Sequence, residues 1–467
     1  MSTRQTIALL CMPLLLAACA TPQAPVSVEA AAPQQWHAPL PVLPHGGSVA
    51  DLSQWWRQQG DPVLAQLIEA AQAASPTIVA ARSRIEQARA ERVASGAALL
   101  PTVDAAATAV RSRTEPSFPL GTTTQAGFQS AWEIDLFGVG RAARDASQAR
   151  LEGASAGWHE ARVSVAAETA NLYYSQRACR KLLAIALSDS ASRSETSRLA
   201  DLSMRTGFTA PATADLARAS AGEGGARATV QRAQCEAGIK ALVALTALSE
   251  PELRAKLFID ENVAEAGIAI ATLPAQLLMQ RPDIFAAERE VIAAMAEVDG
   301  VRAQRFPRLS LNGTIGRTRF RTGGAETEFS SWSAGPLTLS LPVFDGGRRA
   351  ANVDAAQARY EEAVAAYRAR VRQAVREVEE ALVSLESTSA RAEDVRKAVA
   401  GYRAFFDATE ASYKGGLTSL LDLEEARRTR LTAENALVTL EQERRNAWVA
   451  LYRAAGGGWS AFAGEPR

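Results

Sequence analysis

Residues 130–146 read SAWEIDLFGVGRAARDA, and the architecture turns on what the glycines at 138 and 140 are for. An alternating stretch, then G-x-G-x-x-A, then a helical pattern is the order of a dinucleotide-binding turn. Such a site needs a helix of about a dozen residues and then a second buried strand with an acid at its end. Here the helical pattern runs on from about Arg141 to Arg205. The stretch also has a second copy. VFDGGRRA from Val343 matches LFGVGRAA from Leu136, keeping Phe344, Gly347 and Arg348 opposite Phe137, Gly140 and Arg141 and losing the G-x-G-x-x-A. What the copies share is F-x-x-G-R at a strand-to-helix junction, where glycine lets the chain turn.

The copy is part of a long internal repeat. Pro76 and Pro282, and Pro101 and Pro307, are 206 residues apart, while Leu136 and Val343, and Asp215 and Asp422, are 207 apart. A period of this length marks a duplicated structural half and not a short solenoid unit. The first half is expected over 62–260 and the second over 261–455, with an N-terminal segment 19–61 and a tail 456–467.

Composition narrows the function. Lys+Arg and Asp+Glu are both 51 in 467 residues, which argues against a nucleic-acid partner, whose phosphates need a basic excess. The three histidines are His37, His45 and His159, two of them in a Pro-rich segment, so a His-based metal or catalytic cluster is not expected. No cofactor motif and no Ser-His-Asp or phosphate-loop constellation stands out, and the chain does not read as an enzyme.

The first 18 residues have the form of a secretory signal: Arg4, an apolar run from Ile7, and small residues before a cleavage point. Leu16-Ala17-Ala18-Cys19 resembles a bacterial lipobox, which would make Cys19 the lipidated first residue of the mature chain; in a plain signal peptide Cys19 would be incidental. Ala20 is not the usual aspartate of inner-membrane retention, so the resemblance implies the outer membrane. No later run is long and apolar enough for a transmembrane helix, which leaves spanning to strands.

Each half holds helices longer than a globule needs. Tyr360, Val364, Tyr367, Val371, Val375, Val378, Leu382, Leu385, Thr388, Ala392, Val395, Val399 and Tyr402 recur about every 3.5 residues, a coiled-coil seam. At 1.5 Å per residue each long helix reaches roughly 100 Å. Glycine turns at 205–211 and 413–419 fold each helix back, giving hairpins over about 141–248 and 346–455.

Strand pairs lie between the helical blocks, at about 101–110 and 124–137, and at about 308–321 and 328–341. In the best of them Ala126, Phe128, Ser130, Trp132, Ile134 and Leu136 alternate with Gln125, Gly127, Gln129, Ala131, Glu133 and Asp135; Pro336 weakens the last strand. Four strands cannot close a barrel, and lipid does not tolerate an open edge. Two chains would pool eight strands around their own side chains; three would pool twelve and leave a lumen.

With LSQWWRQ (52–58), SAWEIDLFG (130–138), LSLPVFDGG (339–347), YKGGLTSLLDLEEA (413–426) and LYRAAGGGW (451–459), the chain resembles the TolC-like outer-membrane efflux factors, in particular the OprM/NodT-type lipoproteins. The resemblance covers nearly the whole mature chain. It implies a mainly α fold with a small β part: a homotrimer with a twelve-stranded outer-membrane β-barrel, four strands per chain, continuous with a twelve-helix periplasmic α-barrel. It implies a duct subunit of a tripartite efflux system, partnered by a periplasmic adaptor and an inner-membrane pump of the proton-driven RND type. The rival reading is a structural coiled-coil lipoprotein without a pore.

The resemblance also points to residues. The family's closed aperture carries two acids three apart after a tyrosine-glycine turn, which places Asp422 and Glu425 there with Tyr413. Spacing of three puts both carboxylates on one helix face. The alternative is that Asp422 serves a helix start and Glu425 is merely solvated. Asp215 is the first-half counterpart, but its turn is two residues longer, and Thr418 stands where some members carry a lock-forming arginine. Cys179 lies 28 residues before Gly207 and Cys235 28 after it, level with each other in an antiparallel hairpin. They either bridge the hairpin or face apart as buried thiols. Trp132 and Trp332 fit either a membrane-interface belt or packing at the sheet-to-helix junction.

Overall fold

The computed structural model describes residues 36–38, 55–58, 60–113, 120–257, 278 and 281–459. The signal segment and Cys19 lie outside the described residues, as does the tail from 460 on. The first half runs α1 (Trp55–Gln58), α2 (Pro62–Ala74), α3 (Pro76–Ala97), β1 (Thr102–Ser112), β2 (Gly121–Ile134), α4 (Val139–Arg205), α5 (Pro211–Thr246) and α6 (Glu250–Leu257). The second runs α7 (Pro282–Ala303), β3 (Arg308–Thr322), β4 (Ala325–Ser340), α8 (Arg348–Lys414) and α9 (Leu420–Ala454).

The prolines act as helix starters. Pro62, Pro76, Pro211 and Pro282 all sit in a first turn, where no intrahelical N–H is needed. Asp61 accepts a bond from Leu64 N at 3.0 Å and Ser75 one from Ile78 N at 3.4 Å, so Ser75 both ends α2 and caps α3. The two long helices, α4 and α8, are each 67 residues, about 100 Å at 1.5 Å per residue. Each folds back as a hairpin through a Schellman turn. Gly207 at φ 80° and Gly416 at φ 73° take the left-handed position, and Phe208 N and Leu417 N donate to Ser203 O and Ser412 O.

The stripe on α8 is buried at Val371, Val378, Leu382, Leu385, Thr388, Ala392 and Val399, then continues to Phe406. Tyr402, the expected end of the seam, is exposed instead. The seven-residue row from Val371 through Val378, Leu385, Ala392 and Val399 to Phe406 stays buried to its end, while the companion row of Ala374, Ala381 and Thr388 opens to solvent at Tyr402.

The main core lies where the hairpins meet the short helices. Trp55 stacks on Tyr452 with centroids 4.9 Å apart, Trp56 meets the same ring edge-on, and Leu64, Leu67, Leu382 and Leu451 close the cluster. Asp61 is buried beside it, accepting a hydrogen bond from Tyr173 Oη at 2.8 Å and an ion pair from Arg177 at 3.2 Å. That pairing is what makes a buried carboxylate tolerable.

The four strands form one antiparallel sheet in the order β1-β2-β3-β4. β2 starts at Gly121, before the alternation is evident, and stops at Ile134 and not at Phe137, because Asp135 turns to serve the next helix. Pro336 sits inside β4 where the register shifts between Leu311 and Gly313. A bulge is one of the few places in a sheet that tolerates a residue without an N–H.

Candidate functional site

The register sorts the sheet into two faces. One is mainly polar, carrying Thr108, Gln125, Gln129, Thr314, Asn312, Ser331 and Ser333, with Gly127 directly opposite Gly316 and with Val110, Phe320 and Phe329 toward its outward end. The other carries Phe128, Ile315 and Trp332 in one cross-strand row, Leu311 and Leu337 in the row of Trp132, and Leu309 and Leu339 opposite Ile134. Phe128 and Ile315 are exposed and Trp332 is 77% exposed, so among the described residues the outward part of this face is bare, while Trp132, Ile134 and Leu309 toward the helices are partly covered. Beyond β4 it continues through Leu341 and Val343, the latter 90% exposed. From Trp332 to Val343, at about 3.3 Å per residue and a tilt near 40°, the apolar band stands roughly 25–30 Å tall, the height of a bilayer's hydrocarbon.

The two tryptophans separate. Trp132 Nε1 donates to Leu99 O at 3.0 Å, packing the sheet onto the end of α3, whereas Trp332 stands free on the apolar face. Among the described residues, no strand lies beside the outer edges of β1 and β4. An apolar face with two unpaired edges requires neighbours.

At the junctions the repeat is looser in space than in sequence. The left-handed N-cap glycine of α4 is Gly138, at φ 87°, and that of α8 is Gly347, at φ 88°. Gly140, the sequence partner of Gly347, lies inside the first turn, where a Cβ would come within 2.6 Å of Leu99. The shared anchor is an aspartate that the pattern did not single out. Asp135 accepts from Arg141 N at 2.9 Å, and Asp345 accepts from Gly347 N at 3.1 Å and Arg349 N at 3.2 Å. Arg349 takes the ion pair with Asp345 at 2.7 Å that Arg348 would fill by sequence position. The spacing from aspartate to glycine differs by one residue, which moves each partner along. Phe137 stacks on Phe306 at 5.0 Å, while Phe344 is exposed with the apolar band.

At the far end of the hairpins, Asp422 closes a capping box. It accepts from Ser419 N at 3.1 Å, Ser419 Oγ at 2.6 Å and Thr418 Oγ1 at 2.9 Å, and these bonds hold its carboxyl below the usual range. Glu425 pairs with Arg428 at 2.6 Å, which lowers its pKa likewise. Both acids are exposed and share a helix face. Asp215 is bridged by Arg218 to Asp201. Tyr413 packs against a small cluster of Ala200, Ala214, Phe406, Leu420 and Leu423, and burial raises its pKa. Between the tips, Phe208, Leu417 and Leu421 are 87%, 84% and 68% exposed.

Just above the tip lies a buried ionic clamp that sequence reasoning missed. Arg427 on α9 is 0% exposed. It donates to Glu424 at 2.5 Å and, across to α4, to Ser192 and Thr196 at 3.0 Å each. Arg193 on α4 pairs with Asp189 at 2.8 Å and also meets Glu424 and Ser220. Ser192 Oγ in turn donates to Glu410 on α8 at 3.1 Å, so four helices meet in one polar network. Burial pulls the Arg427 pKa down while Glu424 acts the other way. Leu420, Leu423 and Arg427 follow the spacing of the buried stripe, and an arginine in such a stripe is the signal that was there to be read. Farther from the tip, Cys179 and Cys235 are joined by a disulfide, with Cα atoms 5.6 Å apart, between α4 and α5.

Among the described residues no single helix is long and apolar enough to cross a membrane. Comparison with known proteins agrees with a strand-built span. The chain is 30% identical over 465 residues to the pyoverdine export outer membrane protein OpmQ of Pseudomonas aeruginosa, covering 96% of both chains. It is 31% identical over 431 residues to the outer membrane protein OprJ of the same organism, covering 88% of both. The solved outer-membrane channel OprN superposes with a TM-score of 0.85 at 29% identity, over 94% of this chain and 99% of that one. The outer membrane efflux protein model matches residues 67–248 and 273–457, one match per repeat. With a TolC-like channel fold, an apolar-faced open sheet and paired long hairpins, the chain belongs to the outer membrane efflux protein family, a family of transport channels.

Proposed function

We propose that three copies of this chain form the outer-membrane duct of a tripartite efflux system. Twelve pooled strands close a barrel whose polar face lines a water-filled bore, and six hairpins continue it as a periplasmic tunnel. The observation that carries this is the sheet itself: four strands, two open edges, one polar face and one bare apolar face of bilayer height. Exposed Leu187, Leu202, Val383, Tyr402 and Phe405 along α4 and α8 support lateral packing of helices from neighbouring copies. No reaction is part of this role. Conductance across a planar bilayer tests it; a purified protein that inserts yet passes no ions would speak for the pore-free stalk.

The hairpin tips dock a periplasmic adaptor that links the duct to an inner-membrane pump of the RND type. Phe208 and Leu417, matched between repeats and bare at the tips, are suited to such a contact. Phe208→Ser with Leu417→Ser should reduce adaptor binding at least tenfold in a pull-down with purified adaptor and leave conductance unchanged; full binding by the variant would place the contact elsewhere. Cys19 carries the lipid anchor, read by mass spectrometry of the mature amino terminus. Relatives are named for pyoverdine, solvents and toluene, a spread that supports a duct leaving cargo choice to its pump.

A further inference from the structure

We propose that the outward end of the sheet binds the phosphorylated headgroup of an outer-leaflet glycolipid. This rests on the barrel reading, in which the apolar face is turned to lipid. Above the row of Phe128, Ile315 and Trp332, on the same face, the register places Arg317, then Arg319, then Arg321 on alternate β3 residues. Arg111 lies in the row of Arg321, two strands away. Three rows at about 6.6 Å each carry guanidinium groups through the headgroup zone, beyond the hydrocarbon.

The only acids in those rows, among the described residues, are Glu326 and Glu328. Arg319 meets Glu326 at 3.0 Å, Arg321 meets Glu326 at 2.8 Å, and Arg317 and Arg319 meet Glu328 at 3.4 and 3.3 Å. Four arginines against two glutamates leave two positive charges per chain, six per trimer. Solvent-exposed pairs of this kind add little stability, so a phosphate displaces a carboxylate readily. The glutamates hold the guanidiniums as an ordered array in the absence of lipid. Arginine is the suitable residue, because its planar fork takes two phosphate oxygens at once where lysine offers a point charge. A ligand that enters here must present phosphate above acyl chains, since the arginine rows sit directly on an apolar band. Guanidiniums spread over three rows, about 13 Å along the strand, suit a headgroup carrying two phosphates, which favours a bisphosphorylated glycolipid over a phospholipid with one phosphate or a free phosphate.

The test uses delipidated full-length protein in detergent, offered a bisphosphorylated lipid A, its dephosphorylated form or phosphatidylglycerol, with bound lipid counted by native mass spectrometry. The wild-type protein should bind the bisphosphorylated lipid at least tenfold tighter than either other lipid. Arg317→Gln with Arg319→Gln and Arg321→Gln should remove that preference. Equal binding of the phosphorylated and dephosphorylated lipids by wild type overturns the inference, as does an unchanged preference in the variant, and neither result needs the variant to be perfect. Phosphatidylglycerol binding as tightly as lipid A also overturns it, because the patch would then recognise any anionic lipid. Conductance is recorded on the same samples. A conducting protein with no lipid preference removes this inference alone, whereas a protein that never conducts removes the barrel reading beneath it.

Discussion

Arg427→Ala is expected to loosen the hairpin tips by about 3 kcal/mol, the lower end of what breaking a buried ion pair costs. Arg427 is fully buried, and its removal takes a counter-charge from Glu424 and a donor from Ser192 and Thr196. Arg193 stays beside Glu424 and Asp189, which keeps the loss from being larger. Because the clamp joins α4 to α9, the loss is local to the tip. Native-state hydrogen exchange is the suitable readout, with protection over 189–196 and 424–430 falling on the order of 100-fold. Arg427→Met keeps much of the packing and loses the charge, so it separates the two contributions. Unchanged protection in the alanine variant would mean that the clamp is energetically idle. A looser tip should also raise the resting conductance of the duct, since the clamp ties the two hairpins together.

Asp422→Asn with Glu425→Gln is expected to lower the cation selectivity of the duct several-fold. The change removes two negative charges per chain and leaves Arg428 without its partner. In a trimer six carboxylates would ring the aperture, where like charges concentrate cations. Within each chain the hydrogen bonds from Ser419 and Thr418, and the ion pair with Arg428, depress both pKa values. A depressed carboxylate keeps its charge as pH falls through the ordinary range near 4 and loses it only below. Cation selectivity should therefore persist at pH 5 and decline under stronger acid. Reversal potentials in a salt gradient read both effects. Selectivity that is the same in variant and wild type would assign Asp422 to its capping box alone.

The long elements were legible because period and length are carried by many residues at once. The α8 stripe and the repeat offset survive any one substitution, and the two 67-residue helices follow from them. Single-residue geometry was harder to read. The glycine that turns left-handed before α4 is Gly138, while sequence alignment favoured Gly140, because one residue more separates it from its aspartate than in the second copy. β4 was obscured by Pro336, whose bulge depends on β3 across the sheet and not on local sequence. The ionic clamp is spread over four helices distant in the chain, so only Arg427, out of character in an apolar stripe, announced it. The arginine rows were invisible until the register aligned them with Trp332.

All of this depends on an incomplete sheet being completed by other copies of the same chain. Light scattering on the purified, detergent-solubilised protein, with the detergent mass subtracted, counts those copies directly. Three chains per particle is the expected result; a stable particle of one chain, with both sheet edges unpaired and the apolar face merely coated by detergent, would contradict it.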